Sequence, residues 1–219
     1  MARRVQFDRE KKYLLESAKE AIGIPNFGQL EFLEIALTHP SYVYERLDIA
    51  KSQKDLQEKE YRRLAHLGDA ILNAAVTDYL YQKFSQLDQG ELTKAKHNLI
   101  NKTSLAELAD KLQLKKFCLL GLSQQENFQA RQERLFSEMF ESLLGAIYLE
   151  FDRDFSRTRT WIVNNYIANA VDGYFDEVEN DEIEFDEDDI PSTTVTTREY
   201  LDMIGLHDFP DYGWVPGDD

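Results

Sequence analysis

Several features are scarce in this 219-residue sequence, and each scarcity excludes a class of protein. Cys118 is the only cysteine, which excludes an intramolecular disulfide and a zinc cluster built on cysteines. No apolar run approaches the roughly 18 residues that a membrane-spanning helix needs. Residues 6–12 are polar where a signal peptide would require a continuous apolar segment. We therefore expect a soluble, cytoplasmic protein without a membrane partner, in which Cys118 is a core thiol.

Basic residues are nearly absent from the C-terminal part of the chain. Of the 41 acidic residues, 17 lie between Val171 and the C-terminus, where Arg198 is the only basic residue. The tail alone therefore carries a charge equal to the net charge of the chain, −16, and the rest of the chain is neutral. A neutral body is a weaker indication of nucleic-acid binding than a basic surface. Any such function has to be inferred from motifs.

Apolar residues recur at helical spacing along most of the first 174 residues. Helices are predicted over 8–22, 31–38, 61–84, 93–112 with a break near Asn101, 135–151 and 158–174. The polar stretch 48–60 is either a loop or an exposed helix. No stretch alternates with period two for long enough to form a sheet. We predict that residues 1–172 form one all-α domain.

Residues 173–219 differ in composition from this body. The nearly continuous acidic run 176–189 cannot collapse around a core and is predicted to be disordered. Thr196 and Glu199 form a capping-box pattern before the apolar residues of 200–206, which predicts a short terminal helix. The chain is thus expected to consist of a helical body and a mostly disordered acidic tail.

Two groups of carboxylates occupy unusual positions in the helical pattern. Asp69, next to Gly68, lies among apolar residues, where an isolated carboxylate is costly unless it is paired or bound to a cation. Glu138 and Glu141 are three residues apart and project from one face of another helix. Gly68 and Gly145 would let the two helices approach closely. Oxygen ligands suit Mg²⁺, so a metal site is one interpretation, and two solvated acidic faces are the other.

Four segments, in this order, resemble ribonuclease III. They are 36–42 (ALTHPSY), 64–72 (LAHLGDAIL), 92–106 (LTKAKHNLINKTSLA) and 138–149 (EMFESLLGAIYL). Four ordered matches are far more specific than any one of them. The resemblance implies the helical bundle of the ribonuclease III endonuclease domain. It does not extend to a double-stranded RNA-binding domain, because the tail is too short and too acidic to be one.

This resemblance also implies an activity. It implies a Mg²⁺-dependent endoribonuclease, with Mn²⁺ as a second candidate ion, that acts as a homodimer on double-stranded or structured RNA. Such an enzyme would process rRNA or mRNA precursors and leave 5′-phosphate and 3′-hydroxyl ends. Asp69 and Glu141 would be catalytic and, with Glu138, would hold the metal. The candidate RNA contacts are Arg62, Arg63, Lys96 and Asn101, and the alternative for each basic residue is a solvated position on a helix surface.

The sequence departs from the family pattern at the expected metal site. Ala65 stands where most members have a metal-binding glutamate, Arg62 replaces another glutamate, His66 replaces phenylalanine, and Glu138 replaces aspartate. The Mini-ribonuclease III branch, whose members act on rRNA precursors, similarly has alanine and an aromatic residue before its glycine-aspartate pair. Ala65 therefore does not exclude catalysis. The alternative is a catalytically inactive ribonuclease III-like dimer that binds RNA or a ribonucleoprotein.

The tail allows further interpretations. The acidic run 176–189 could imitate RNA backbone charge and compete for the binding surface. It could equally be a solubilising linker whose terminal helix docks onto a ribosomal or other protein partner. His207 and Asp208 would suit an HD-type phosphohydrolase, but no second histidine-bearing helix accompanies them.

Overall fold

The structure is a computed structural model that describes residues 2–126, 128–168 and 170. Within these ranges the helices are α1 (Ala2–Ala21), α2 (Leu30–Leu37), α3 (Pro40–Tyr44), α4 (Lys51–Lys83), α5 (Gln89–Leu99), α6 (Lys102–Lys111), α7 (Leu122–Glu126), α8 (Phe128–Glu150) and α9 (Phe155–Ile162). A 3₁₀ turn at Leu114–Lys116 precedes α7, and a π-helical turn at Val163–Ile167 continues α9. The described ranges contain no strand, only a single bridge between Thr38 and Leu119. The all-α prediction is confirmed.

The predictions for the tail fall outside the described residues. These are the disordered run 176–189, the terminal helix, the boundary at 172 and the pair His207–Asp208. They stay predictions. In the part that the structure describes, no helix combines the length and apolarity that crossing a membrane requires.

Residues 51–60 of the polar stretch that the sequence left ambiguous form the first part of α4, which runs unbroken for 33 residues. Ion pairs within the helix support it: Arg62 Nη2 lies 2.7 Å from Glu58 Oε1, and Arg63 Nη1 lies 2.8 Å from Glu60 Oε1. Pairs at these spacings stabilise a helix by roughly 0.2–0.5 kcal/mol each. The exposed-helix interpretation of this stretch is confirmed.

The core lies where α4 and α8 cross, with α2 and α6 packed against other sides of α8. Both central helices have wide apolar faces, which is why the sequence predicted them securely. Leaving either face in water would cost roughly 25 cal/mol of folding free energy for each Å² of apolar surface. The buried residues at the centre are Leu64, Leu72, Ala75, Val76 and Leu80 of α4, and Phe136, Met139, Phe140, Leu143, Leu144 and Ile147 of α8.

Long-range hydrogen bonds tie the helix ends together. The Glu150 carboxylate accepts the backbone N–H groups of Gly28 at 2.9 Å and Gln29 at 2.8 Å, which holds the end of α8 against the start of α2. The Trp161 indole N–H donates to the Ile22 carbonyl at 2.9 Å. These bonds satisfy backbone groups that helix termini otherwise leave unpaired.

Side-chain caps explain the boundaries of the middle helices. Asp88 and Glu91 form a reciprocal capping box at the start of α5, with distances of 2.9 and 2.7 Å. Asn101 caps α6 through its side-chain oxygen, which accepts the Ser104 N–H at 2.9 Å. The break predicted near Asn101 is therefore confirmed, and its cause is this cap.

Cys118 is half-buried rather than fully buried. Burial raises the pKa of its thiol to about 11, and the thiol donates to the Lys115 carbonyl at 3.5 Å. A thiol with this pKa is protonated at neutral pH and is a poor nucleophile. The residue therefore has the inert character predicted for a core thiol.

Candidate active site

Two glycines let α4 and α8 cross at backbone contact. A Cβ atom at Gly68 would lie 1.8 Å from the Glu141 carbonyl oxygen, and one at Gly145 would lie 2.3 Å from the Leu64 carbonyl oxygen. No side chain fits either position without moving a helix backbone. The close approach predicted at both glycines is confirmed, and it places Asp69, the neighbour of Gly68, beside the α8 segment that contains Glu141.

The predicted metal ligands are carried by these two helices, and we call Asp69, Glu138 and Glu141 the carboxylate site. Asp69 is exposed, and its Oδ1 accepts a hydrogen bond from Asn73 Nδ2 at 2.9 Å. The same Asn73 amide donates to the Asp69 carbonyl at 2.9 Å. Glu138 and Glu141 are half-buried on α8. Asn73, one turn after Asp69, thus holds the Asp69 side chain against its own helix.

The carboxylates interact electrostatically. Burial, followed by the negative charges of Asp69 and Glu138, raises the pKa of Glu141 to about 7, while Lys102 opposes this shift. Near neutral pH the cation-free site therefore holds a partly protonated Glu141. Lys102 begins α6 and is exposed. The sequence did not single it out, because its proximity to Glu141 depends on the packing of α6 against α8.

The donor set fits a divalent cation in its chemistry, because it consists of carboxylates that repel one another until a cation offsets their charge. Within the described residues, however, no three His, Cys, Asp or Glu side chains converge as a metal-binding group. Both findings are consistent. Carboxylates can raise one another's pKa over several ångströms, whereas ligands must converge on a single ion. The three residues therefore fit a divalent cation in their chemistry, while their side chains do not converge on one point in this structure.

Ala65 and Tyr61 lie one turn apart on the buried face of α4. Ala65 is 5% exposed, and its methyl side chain has no atom that could bind a metal at the site. Tyr61 is fully buried, and its hydroxyl has no hydrogen-bond partner among the described residues. Burial raises the pKa of Tyr61 well above its usual value, and the charges of Glu138 and Glu141 add to this effect. Sequence reasoning missed Tyr61 because a tyrosine at the start of an apolar pattern is typical of a core residue.

The arginines predicted to contact RNA are exposed but already paired. Arg62 and Arg63 are each 67% exposed and form the ion pairs with Glu58 and Glu60 within α4. They line an open groove of about 540 Å³ together with acidic and basic neighbours. An RNA phosphate would have to exchange with a glutamate to reach either guanidinium. The residues lining the groove are Asp55, Glu58, Lys59, Arg62, Arg63 and His66.

The other two predicted RNA contacts lie at the junction of α5 and α6. Lys96 is half-buried in the last turn of α5. The Asn101 side chain accepts from Ser104 and donates to the Asn98 carbonyl at 2.8 Å, so both ends of its amide are used in the helix junction. The structure therefore gives Asn101 a clear capping role, and an RNA contact through it would compete with that cap.

Comparison with known proteins identifies relatives of the described body. The Ribonuclease-III-like family matches residues 29–170. The protein named Ribonuclease 3 from Oleidesulfovibrio alaskensis is 37% identical over 124 residues, which are 57% of this chain and 51% of that protein. Ribonuclease 3 from Borreliella burgdorferi is 31% identical over 154 residues, 70% of this chain and 58% of that protein. The chain thus spans a little over half the length of these relatives.

A solved structure has the same helical architecture. The nuclease domain of ribonuclease III from Campylobacter jejuni superposes with a TM-score of 0.57 at 28% sequence identity, covering 69% of this chain and 94% of that one. In that domain, a region involved in dimer formation shows structural flexibility. The four motifs, the glycine-mediated crossing of α4 and α8 and the family match over 29–170 agree with one another. The chain belongs to the ribonuclease-III-like family.

Proposed function

We propose that this protein is a divalent-metal-dependent endoribonuclease of the ribonuclease III type. The observation that carries the proposal is the carboxylate site at the crossing of α4 and α8, where burial and two negative neighbours raise the pKa of Glu141 to about 7. Such uncompensated negative charge favours a bound cation. The relatives named Ribonuclease 3 support the reaction class.

Asp69, Glu138 and Glu141 would hold Mg²⁺ or, in its place, Mn²⁺. If bound by these residues, the cation would supply a lower pKa for water at the site and positive charge opposite the scissile phosphodiester. Asn73 orients Asp69 through its two hydrogen bonds. The backbone contact at Gly68 fixes the distance between the Asp69 and Glu141 helices. The products would carry 5′-phosphate and 3′-hydroxyl ends.

The substrate we propose is double-stranded or structured RNA, such as an rRNA or mRNA precursor. Arg62, Arg63 and Lys96 are the candidate phosphate contacts, and Lys102 joins them because it lies within electrostatic reach of Glu141. Asn101 would support them by fixing the junction of α5 and α6. We propose that two copies of the chain form the active unit, in line with the dimer-forming region named for the Campylobacter jejuni domain.

The test is cleavage of a long double-stranded RNA and of a structured rRNA precursor by the full chain with Mg²⁺ or Mn²⁺. The wild type should cleave, and Glu141→Gln should lose at least about 100-fold in rate, since a metal-held carboxylate is replaced by a weaker ligand. Glu107→Gln, which changes an exposed carboxylate on α6, is the matched control and should retain activity. Digestion of the products by a 5′-phosphate-dependent exonuclease would check the ends.

A chelator should abolish cleavage, and added Mn²⁺ should restore it. Cleavage that survives the chelator, or that is equal in Glu141→Gln and wild type, would contradict the proposed site. RNA binding without cleavage under every metal condition would instead favour the non-catalytic alternative, for which the specific observation is Ala65, a buried residue that offers no ligand.

A further inference from the structure

Segment 92–106 has a local excess of positive charge in a body that is neutral as a whole. It runs from the fourth residue of α5 into the first half of α6 and contains no aspartate or glutamate. Its basic residues are Lys94, Lys96, His97 and Lys102. A stretch of this kind attracts a polyanion more strongly than a surface where charges of both signs alternate.

Three of these basic residues are exposed on one stretch of surface, and we call Lys94, His97 and Lys102 the basic strip. Lys94 and His97 are three residues apart on α5, so their side chains are neighbours on one face of that helix. Lys102 is the first residue of α6. Lys96 is half-buried and projects from another side of α5.

The junction between the two helices is held by side-chain hydrogen bonds. The Asn98 carbonyl accepts from Asn101 Nδ2 at 2.8 Å and from the Ser104 hydroxyl at 2.8 Å. The Asn101 side-chain oxygen accepts the Ser104 N–H at 2.9 Å. The end of α5 is thus joined to the first turn of α6, which keeps the backbone of Lys102 at a fixed place relative to that of His97.

No residue of the basic strip forms an ion pair with a described acidic side chain. Glu91 lies three residues before Lys94, but its carboxylate turns back to accept the Asp88 N–H at 2.7 Å. Arg62 and Arg63, in contrast, are each paired with a glutamate. A free lysine releases a counterion when it binds a phosphate, and this release supplies much of the affinity for a nucleic-acid backbone. A paired arginine must first give up its carboxylate.

The basic strip ends beside the carboxylate site. Helix α6 packs against α8, and the positive charge of Lys102, at the start of α6, acts on Glu141. A backbone bound along the strip would therefore be led toward the carboxylates.

We infer that the basic strip is the main RNA-binding surface of this protein, and that it contributes more to RNA affinity than Arg62 and Arg63 do. Double-stranded RNA is recognised mostly through its shape, its phosphates and its 2′-hydroxyls, and a row of exposed cations suits the phosphates. The inference rests on the proposed function for the choice of RNA as the polyanion. It requires no bound metal.

The test is binding of a short double-stranded RNA by the full chain, measured by fluorescence anisotropy at several salt concentrations. A chelator is present, so that the RNA stays intact. Lys94→Gln combined with Lys102→Gln should raise the Kd about tenfold and lower the slope of log Kd against log salt by about two, one for each lost phosphate contact. Arg62→Gln combined with Arg63→Gln should have the smaller effect on both quantities.

Lys111 provides the matched control, because it is exposed and lies nine residues after Lys102, on the opposite side of α6. Lys111→Gln changes the net charge as Lys102→Gln does, yet it should leave the Kd unchanged. Lys94→Arg combined with Lys102→Arg keeps both charges and should bind like the wild type. The urea midpoints of all these variants should match the wild type, because the substituted residues are exposed.

Equal affinity of wild type and the Lys94→Gln, Lys102→Gln double variant would overturn the inference. Equal losses in Lys102→Gln and Lys111→Gln would also overturn it, because net charge alone would then explain the effect. A larger loss in the arginine double variant would assign RNA binding to the groove on α4 instead.

Binding without cleavage distinguishes this inference from the proposed function. If the wild type binds RNA through the strip but does not cleave it with Mg²⁺ or Mn²⁺, the proposed catalysis fails and the strip remains. If the wild type cleaves RNA and the double lysine variant binds it equally well, only the strip is wrong. If the wild type binds no double-stranded RNA, both fail.

Discussion

Gly68 and Gly145 form a reciprocal pair in which each glycine meets the backbone of the opposite helix: Gly68 meets the Glu141 carbonyl, and Gly145 meets the Leu64 carbonyl. The contact removes the layer of side chains that normally keeps packed helices 8–10 Å apart. It brings the two carboxylate-bearing helices as close as their backbones allow. The position of the carboxylate site thus depends on two residues that have no side chain.

Gly68→Ala should therefore be severely destabilising. Its new methyl group would meet a backbone carbonyl rather than a flexible side chain, so the helices would have to separate. We expect a loss of at least about 3 kcal/mol in the free energy of unfolding, at the upper end of overpacking effects. Gly28→Ala is the matched control, because its Cβ would lie 3.8 Å from Glu150 in ordinary contact. Urea unfolding measures both, and similar small effects at the two positions would contradict the close crossing.

Glu141→Gln should stabilise the metal-free protein at alkaline pH. The pKa of Glu141 is about 7 in the folded state against an ordinary value of 4.5, so the carboxyl group favours folding below 4.5 and this contribution is lost as pH rises through 7. After allowance for solvent screening of a half-buried group, the variant should gain about 1 kcal/mol over wild type at pH 8. The gain should shrink at pH 5. Urea unfolding with chelator at both pH values measures it, and a difference independent of pH would contradict this account.

His39 should make folding less favourable in acid. Burial lowers the pKa of His39, and Arg62 lowers it further, while Glu58 opposes them. Because the folded state holds His39 neutral, the contribution of His39 to the free energy of unfolding is complete above its ordinary pKa of 6.5. This contribution is lost as pH falls toward the lower pKa of the folded state. His39→Asn keeps an N-cap acceptor for Ser41 and does not titrate. The difference in unfolding free energy between variant and wild type, measured at pH 7.5 and 5.5, should therefore move in favour of the variant at the lower pH.

Glu150→Gln should weaken the tie between α8 and α2. The carboxylate accepts two backbone N–H groups, and its charge strengthens both bonds. The amide retains one oxygen and loses the charge, so we expect a loss of about 1–2 kcal/mol in unfolding free energy. Glu20→Gln, at an exposed position in α1, should change it by less than about 0.5 kcal/mol. Equal effects of the two substitutions would show that the carboxylate of Glu150 is not a specific link.

The sequence was most informative where local chemistry decides the structure. The two central helices follow from their wide apolar faces, and the break at Asn101 follows from a residue type that favours N-caps. Even the crossing at Gly68 and Gly145 was predictable, because glycine inside a helix is unfavourable without a packing reason. The start of α4 at Lys51, inside the polar stretch 48–60, was left open, since a polar helix supported by pairs such as Glu58–Arg62 has no apolar stripe to predict it.

The environment of the site could not be predicted in the same way. The proximity of Lys102 to Glu141 depends on how α6 packs against α8, and the burial of Tyr61 depends on where α3 meets α4. Neither relationship leaves a periodic pattern in one segment of the chain. The pairing of Arg62 and Arg63 with glutamates one turn earlier is visible in the sequence as i, i+4 and i, i+3 spacing, although the interpretations of these arginines as RNA contacts or as solvated surface residues do not use it.

The backbone contact between α4 and α8 also has a consequence for motion. With no side chains between the helices at Gly68 and Gly145, they cannot slide or separate by small rotamer changes, because any opening breaks the densest part of the core. Backbone amides near residues 68 and 145 should therefore exchange with deuterium only through global unfolding. The spacing of Asp69 and Glu141 is then a property of the whole fold, and it persists until the bundle as a whole is lost.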